Sequence, residues 1–244
     1  MKEIEAIVLA GGYGLRLDQS GRQETQKCLL PIEGRPILGQ IMESLVLAFG
    51  SVDLKIGIGH KGQDVVDYVD VNKPKNITVT YIPHIPGTEG WGIYKDMENY
   101  IEGNFVALPG DILALPSVYE DVMREFLDNH VDAAITLSPN IEDADTHGVG
   151  RIEKGSVVDL IWPPPEVIKE NYLRDMTIWA SDKNFFDVIK HYPNPGKGIG
   201  YLFMDAVRDT RSIAGSRYDL PWLHLGYRRD LERKLQQEQL DLKV

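Results

Sequence analysis

The chain has one cysteine, Cys28, in 244 residues, which excludes an internal disulfide. No Cys/His cluster has zinc-ligand spacing, so a reducing cytoplasm is the natural setting. Long hydrophobic runs are missing too, and none approaches the ~20 apolar residues that a membrane span requires. Met1 to Glu5 places acids ahead of only five apolar residues, the wrong pattern for a secretory signal. Positive charge is scarce. Lys and Arg number 26 against 37 Asp and Glu, and the net charge of −11 repels a polyanion, so nucleic acid is not an expected partner. The composition is otherwise globular, with 43% hydrophobic and 26% charged residues, which removes disordered and fibrous readings. At roughly 100–200 residues per domain, the length fits one large soluble domain.

Ile4 to Ala10 is short and nearly all apolar, and it ends in Gly11-Gly12, as a central strand buried on both faces would. Ile41, Met42, Leu45, Val46 and Phe49, after Pro36 and before Gly50, have helical spacing. Strands are expected at Leu54–Ile58, Ile77–Ile82, Phe105–Asp111 and Val131–Leu137. Helices are expected around Val65–Val69, at Trp91–Tyr100 and at Pro116–Leu127. This alternation predicts an α/β fold: a three-layer, doubly wound, mostly parallel sheet of Rossmann-like type. The texture changes after about Asp145. Arg151–Glu153, Ser156–Ile161 and Tyr172–Ala180 read as strands interrupted by glycine and by Pro163-Pro164-Pro165, a small β-rich section beside the parallel sheet. Helical patterns at Phe185–His191 and Ile199–Val207 follow, and a charged helix is expected over residues 228–244. No internal repeat is visible.

The strongest local signal is Leu9-Ala10-Gly11-Gly12-Tyr13-Gly14-Leu15-Arg16-Leu17, followed by Lys27-Cys28-Leu29-Leu30-Pro31-Ile32-Glu33-Gly34-Arg35-Pro36-Ile37-Leu38. A glycine-rich turn after a buried strand lets backbone N–H groups approach phosphate oxygens that a Cβ would block. It is not a Walker loop, because no lysine follows a glycine at the required spacing. Nor is it the dinucleotide fingerprint: Leu17 stands where the third glycine belongs. A basic residue in the turn suits a free polyphosphate. A plain structural turn with a surface Arg16 and Lys27 stays open from these residues alone.

L-A-G-G-x-G-x-R-L with K-x-L-L-P-I-x-G-x-P-I-L resembles the paired signature of the NTP:sugar-1-phosphate nucleotidylyltransferases. Further segments are similar in the same order: Gly87-Thr88-Glu89-Gly90, Pro109-Gly110-Asp111, His147-Gly148-Val149-Gly150 and Pro221-Trp222-Leu223-His224-Leu225-Gly226. The resemblance covers about residues 4–235. It implies the nucleotide-diphospho-sugar transferase fold, with residues 1–145 as a nucleotide half and 146–227 as a sugar-phosphate half. It further implies transfer of a nucleotidyl group from an NTP to a sugar 1-phosphate or similar polyol phosphate, with release of pyrophosphate. Arg16, Lys27 and Asp111 become the implied catalytic residues. Leu9, Ala10, Gly11, Gly12, Gly14, Arg16, Lys27, Gly87 and Thr88 become nucleotide contacts, with Ile82 to Pro86 near the base. Gly148 is implied at the sugar, and Asp111 as ligand to Mg²⁺. A homo-oligomer is left open.

The chain departs from the pattern twice. Where the family has E-K-P, its lysine on the sugar phosphate, this chain reads Asp159-Leu160-Ile161-Trp162-Pro163-Pro164-Pro165, which leaves Lys169 or Arg174 to supply the charge. His224 stands where a second metal-binding acid is expected, which turns attention to Mn²⁺ or Co²⁺, to a cationic contact with phosphate, or to a packed histidine. The rival expectation is a regulatory paralogue that binds nucleotide or sugar phosphate without turnover.

Overall fold

The computed structural model describes residues 4–13, 25–84, 90–141, 147–192 and 198–226. In chain order the elements begin with β1 (Ile4–Ala10), a 3₁₀ turn (Lys27–Leu29), β2 (Pro31–Ile32), β3 (Arg35–Pro36), α1 (Ile37–Phe49), β4 (Val52–Ile58), α2 (Gly62–Asn72) and β5 (Ile77–Pro83). The middle of the chain forms α3 (Ile93–Met97), β6 (Asn104–Pro109), β7 (Ile112–Ala114), α4 (Ser117–Asn129) and β8 (Ala133–Ser138). Then come β9 (Val149–Glu153), β10 (Ser156–Ile161), β11 (Leu173–Asp182), α5 (Phe185–His191), α6 (Ile199–Arg208), β12 (Ile213–Arg217) and β13 (Trp222–His224).

One nine-stranded sheet runs in the order β5-β4-β1-β6-β11-β8-β12-β10-β9. The strands β1, β4, β5 and β6 are mutually parallel, as are β8 and β12. The sheet is nevertheless mixed, because β11 runs against β6 and β8, and β10 runs against β12 and β9. Alternation along each strand divides two cores. Ala6, Val8, Val106 and Leu108 pack with α1, α2 and α4, whereas Ile7, Phe105, Ala107 and Ile135 pack with α3, α5 and α6. Trp179 anchors the second core, with its ring edge-on to Tyr94, Phe105 and Phe203.

Three expectations need correction. The β-rich section is not beside the main sheet but inside it: β11 inserts between β6 and β8 and also pairs with β9. A register shift between Asp175 and Trp179, with Thr177 at φ 56°, lets this one strand serve three partners. The helix expected at Trp91–Tyr100 is a five-residue α3 flanked by 3₁₀ turns, Gly90–Gly92 and Glu98–Tyr100, since its leading glycine gives no side-chain cap. Finally, β7, β12 and β13 were not anticipated, being short, glycine-containing or dependent on a distant partner. The helix expected at 228–244 lies outside the described residues, and no described helix is long and apolar enough to cross a membrane.

Candidate active site

Strands β1 and β6 are neighbours with Leu9 opposite Pro109, so the turns that leave their C-terminal ends lie side by side. The Gly110 N–H donates to Leu9 O at 2.8 Å and fixes the second turn against the first. The first turn also packs on the loop after β4. A Cβ on Gly59 would fall 2.7 Å from Gly11 O, so only glycine permits that approach, and the His60 N–H donates to the same oxygen at 3.1 Å. Around these turns lies a cavity of about 450 Å³, lined by Leu9, Ala10, Gly11, Gly12, Lys27 and Asp111 among others. A Cβ on Gly12 would meet nothing within 4 Å among the described residues, which leaves room there for a ligand.

Lys27 heads the 3₁₀ turn, and its Nζ pairs with Asp111 Oδ2. Antiparallel pairing of β13 with β7 sets His224 opposite Ile112, while the Leu225 N–H donates to Asp111 O at 3.0 Å. His224 Nε2 therefore lies 3.6 Å from Asp111 Oδ2. Burial alone would raise the Asp111 carboxyl, but Lys27 and His224 outweigh it and hold the group well below the usual carboxylate range. Its other oxygen, Oδ1, is buried and has no hydrogen-bond partner among the described residues. Burial pushes the neighbouring Cys28 thiol up to about 12, so it is no nucleophile at neutral pH.

Sequence reasoning missed Gln26, which is 2% exposed and joins the glycine turn, the loop after β4 and the 3₁₀ turn through its amide. Its Nε2 donates to Ala10 O at 2.7 Å and Gly12 O at 3.1 Å, and lies 3.3 Å from His60 O, while its Oε1 accepts from the Cys28 N–H. The only signal was its place beside Lys27.

A second cluster extends from His224. The His147 ring stands edge-on to it at 4.4 Å, and His147 Nδ1 lies 3.1 Å from an Arg174 amine. The Arg174 guanidinium sits 4.6 Å over the Trp222 ring. Arg174 thus joins the Asp111 side through two imidazoles, whereas Lys169 is exposed on the segment between β10 and β11. Gly148 gives its carbonyl to the Asp175 N–H at 2.8 Å, and its α-carbon abuts the Trp162 ring. Gly200 abuts the same ring. Trp162 Nε1 donates to Asp175 Oδ2 at 3.3 Å, and the Thr177 N–H donates to Oδ1 at 2.7 Å. Burial raises the Asp175 carboxyl to about 6. His147, Trp162 and Asp175 were not anticipated as site residues, although His147 and Trp162 stand at or beside the motif segments. Gly14, Arg16, Gly87 and Thr88 lie outside the described residues.

Among the described residues no three His, Cys, Asp or Glu side chains assemble as a ready metal cage. Asp111 Oδ1, without a hydrogen-bond partner among the described residues, still offers a hard oxygen, and His224 places an imidazole 3.6 Å from the other oxygen of that carboxylate. That pair fits a divalent cation that takes its remaining ligands from substrate phosphates and water.

No family model matches the chain, and no curated protein matches it. Solved structures do. The chain superposes on a UDP-glucose pyrophosphorylase complexed with UDP-glucose at a TM-score of 0.82 and 15% identity, covering 98% of this chain and 99% of the other. A Bacillus anthracis protein assigned as a glucose-1-phosphate thymidylyltransferase gives 0.79 at 21% identity, over 95% and 93% of the two chains. The inositol-1-phosphate CTP transferase of T. maritima gives 0.75 at 18% identity, over 96% and 94%. Over nearly its whole length, the chain has the mixed α/β fold of the sugar-phosphate nucleotidyltransferases.

Proposed function

We propose that this protein transfers a nucleotidyl group from a nucleoside triphosphate to a sugar 1-phosphate or similar phosphorylated polyol, releasing pyrophosphate and forming an NDP-sugar. The observation that carries the reading is the convergence of the glycine turn, Lys27 and an ionised Asp111 on one cavity at the ends of β1 and β6. An acceptor phosphate oxygen would attack the α-phosphorus and pyrophosphate would leave, so the difficulty is to bring anions together and neutralise the charge that develops. With a second pKa near 6 the acceptor phosphate is already mostly dianionic at neutral pH and needs no general base. Asp111 suits this division of labour. Held ionised by Lys27 and His224, it is a poor base and a good partner for cations.

Lys27 rests on Asp111. An incoming triphosphate competes for its Nζ, which then neutralises the leaving pyrophosphate and uncovers Asp111 Oδ2. Arg16 acts on the same phosphates, Gly11, Gly12 and Gly14 supply backbone to them, and Gly87 and Thr88 flank the base. A bound Mg²⁺, Mn²⁺ or Co²⁺, held by Asp111 with His224 beside it, would supply Lewis-acid neutralisation of the phosphate oxygens. In the acceptor half, Arg174 rather than Lys169 replaces the missing lysine, because Arg174 is joined to His224 through His147. We read the fold as three-layered and Rossmann-like, with halves at 1–145 and 146–227, working in the cytoplasm on small phosphorylated substrates.

The second reading, a regulatory paralogue, rests on His224 at the acid position and on a centre whose one carboxylate is already neutralised by Lys27. Pyrophosphate release, screened over four NTPs against sugar and polyol 1-phosphates with Mg²⁺, Mn²⁺ and Co²⁺, decides between them. Turnover with one pair establishes the transferase; nucleotide binding without turnover under any combination establishes the paralogue.

A further inference from the structure

The glycine turn has a difficulty common to phosphate-binding backbone. Each peptide that offers an N–H also carries a carbonyl oxygen, and an oxygen left facing a polyphosphate repels it. Here the three consecutive carbonyls of Ala10, Gly11 and Gly12 are all engaged by protein donors. Gly11 O accepts from the His60 N–H at 3.1 Å. Ala10 O and Gly12 O accept from the same Gln26 amide nitrogen at 2.7 and 3.1 Å. That nitrogen also approaches His60 O at 3.3 Å, so it draws the β4–α2 loop into the same knot. The other end of the amide accepts from the Cys28 N–H at 3.2 Å, at the start of the turn that carries Lys27. Gln26 is 2% exposed, so these bonds form in a dry setting where they are strong and hold one geometry.

We infer that Gln26 is the positioning residue of the nucleotide site. From the cavity wall, its side chain orients the glycine turn and Lys27 together toward one triphosphate, its amide being spent on backbone partners. Glutamine fits the task because it joins a two-hydrogen donor and an acceptor on one planar group at this reach. Glutamate would aim lone pairs at the carbonyls of Ala10, Gly12 and His60, asparagine is one methylene shorter, and methionine fills the volume with no hydrogen-bond donor. This inference rests on the nucleotide reading of the cavity, but not on turnover.

The test measures binding of the preferred NTP, its nucleoside and inorganic pyrophosphate by calorimetry, with melting temperatures alongside, for wild type, Gln26→Met and Gln26→Glu. Gln26→Met should weaken NTP and pyrophosphate binding by at least about tenfold and leave nucleoside binding within about twofold. It should raise the KM for NTP more than that for the acceptor. Gln26→Glu should be the weaker binder of the two and also covers the case in which the methionine variant does not fold. A purely structural role would instead lower the melting temperature and weaken all three ligands alike. That result, or a Gln26→Glu protein that binds NTP like wild type, overturns the inference. Wild type that binds NTP but never releases pyrophosphate overturns the transferase reading alone. Wild type that binds no NTP overturns both.

Discussion

Asp111 is partly buried and Asp175 fully buried, and their surroundings push the two carboxyls in opposite directions. Lys27 and His224 overcome the burial of Asp111 and hold it ionised. Among the described residues Asp175 meets a backbone N–H, an indole N–H and the Arg174 charge; burial outweighs them and the group rises to about 6. The difference separates two kinds of site wall. Around Asp111 the fold assembles fixed charge and backbone facing a cavity; around Asp175 it assembles aromatic rings on glycines, with Trp162 set against Gly148 and Gly200. The first region follows the sequence signature. In the second, Trp162 stands in the segment where that signature carries a lysine.

The comparison breaks most readily at Asp111. Asp111→Asn leaves Lys27 without its partner and removes the anionic ligand, so kcat should fall roughly 10²-fold, about 3 kcal/mol of transition-state stabilisation. Circular dichroism should show the fold retained. A variant that turns over like wild type removes Asp111 from the chemistry and leaves the two aspartates equivalent.

Asp175 sharpens the contrast from the other side. Its folded value of about 6 lies above the ~3.9 of an unfolded aspartate, so the folded state binds its proton more tightly. The stability that this contributes is fully present below about pH 4 and is lost as pH rises through about 6. Relative to Asp175→Asn, which cannot titrate, wild type should lose about 2 kcal/mol between pH 4 and pH 7. Urea unfolding of both proteins at the two pH values measures it, and a constant difference shows that Asp175 titrates normally. Gly148→Ala should cost a similar amount, about 1–3 kcal/mol, because its Cβ would fall 1.7 Å from Trp162 Nε1 and the ring must move. Combining it with Trp162→Ala should cost less than the sum of the two single changes, and strict additivity would mean that the indole does not occupy that space.

The parts of this molecule legible in the sequence are those written in local pattern. β1, α1, β10 and α5 follow from apolar runs, helical spacing and glycine stops within each segment. The glycine turn stood out because backbone N–H groups can approach phosphate there, whereas Lys27 and Asp111 stood out through the resemblance to the nucleotidylyltransferase signature. The insertion of β11 into the main sheet was not legible, since a strand does not announce its partners. Its bulge at Asp175–Trp179 depends on packing between β6, β8 and β9. Gln26 was hidden for the same reason: its four backbone contacts lie on three segments, and two of these are at least 14 residues away. The proximity of His224 to Asp111 needed the β7–β13 ladder, three residues long and closed across more than a hundred positions of chain.

His224 joins the two regions, and its replacement should give the smallest effect. Its ring lies 3.6 Å from Asp111 Oδ2 on one side and edge-on to His147 at 4.4 Å on the other. A metal held at Asp111 therefore meets one carboxylate and one imidazole where two carboxylates would suit Mg²⁺ better. Mg²⁺ takes oxygen ligands in near-octahedral geometry and retains waters, so one carboxylate with substrate phosphates holds it more weakly. Mn²⁺ and Co²⁺ accept imidazole more readily and should support faster turnover in wild type, by a few-fold, about 1 kcal/mol. His224→Asp should move the preference back to Mg²⁺, while the loss of the ring contact with His147 works against that gain. Rates with each metal at saturating substrates, for both proteins, settle the matter. Identical metal profiles would make His224 a packing residue held by Gly226 and His147, and the chemistry would then rest on the Asp111 side alone.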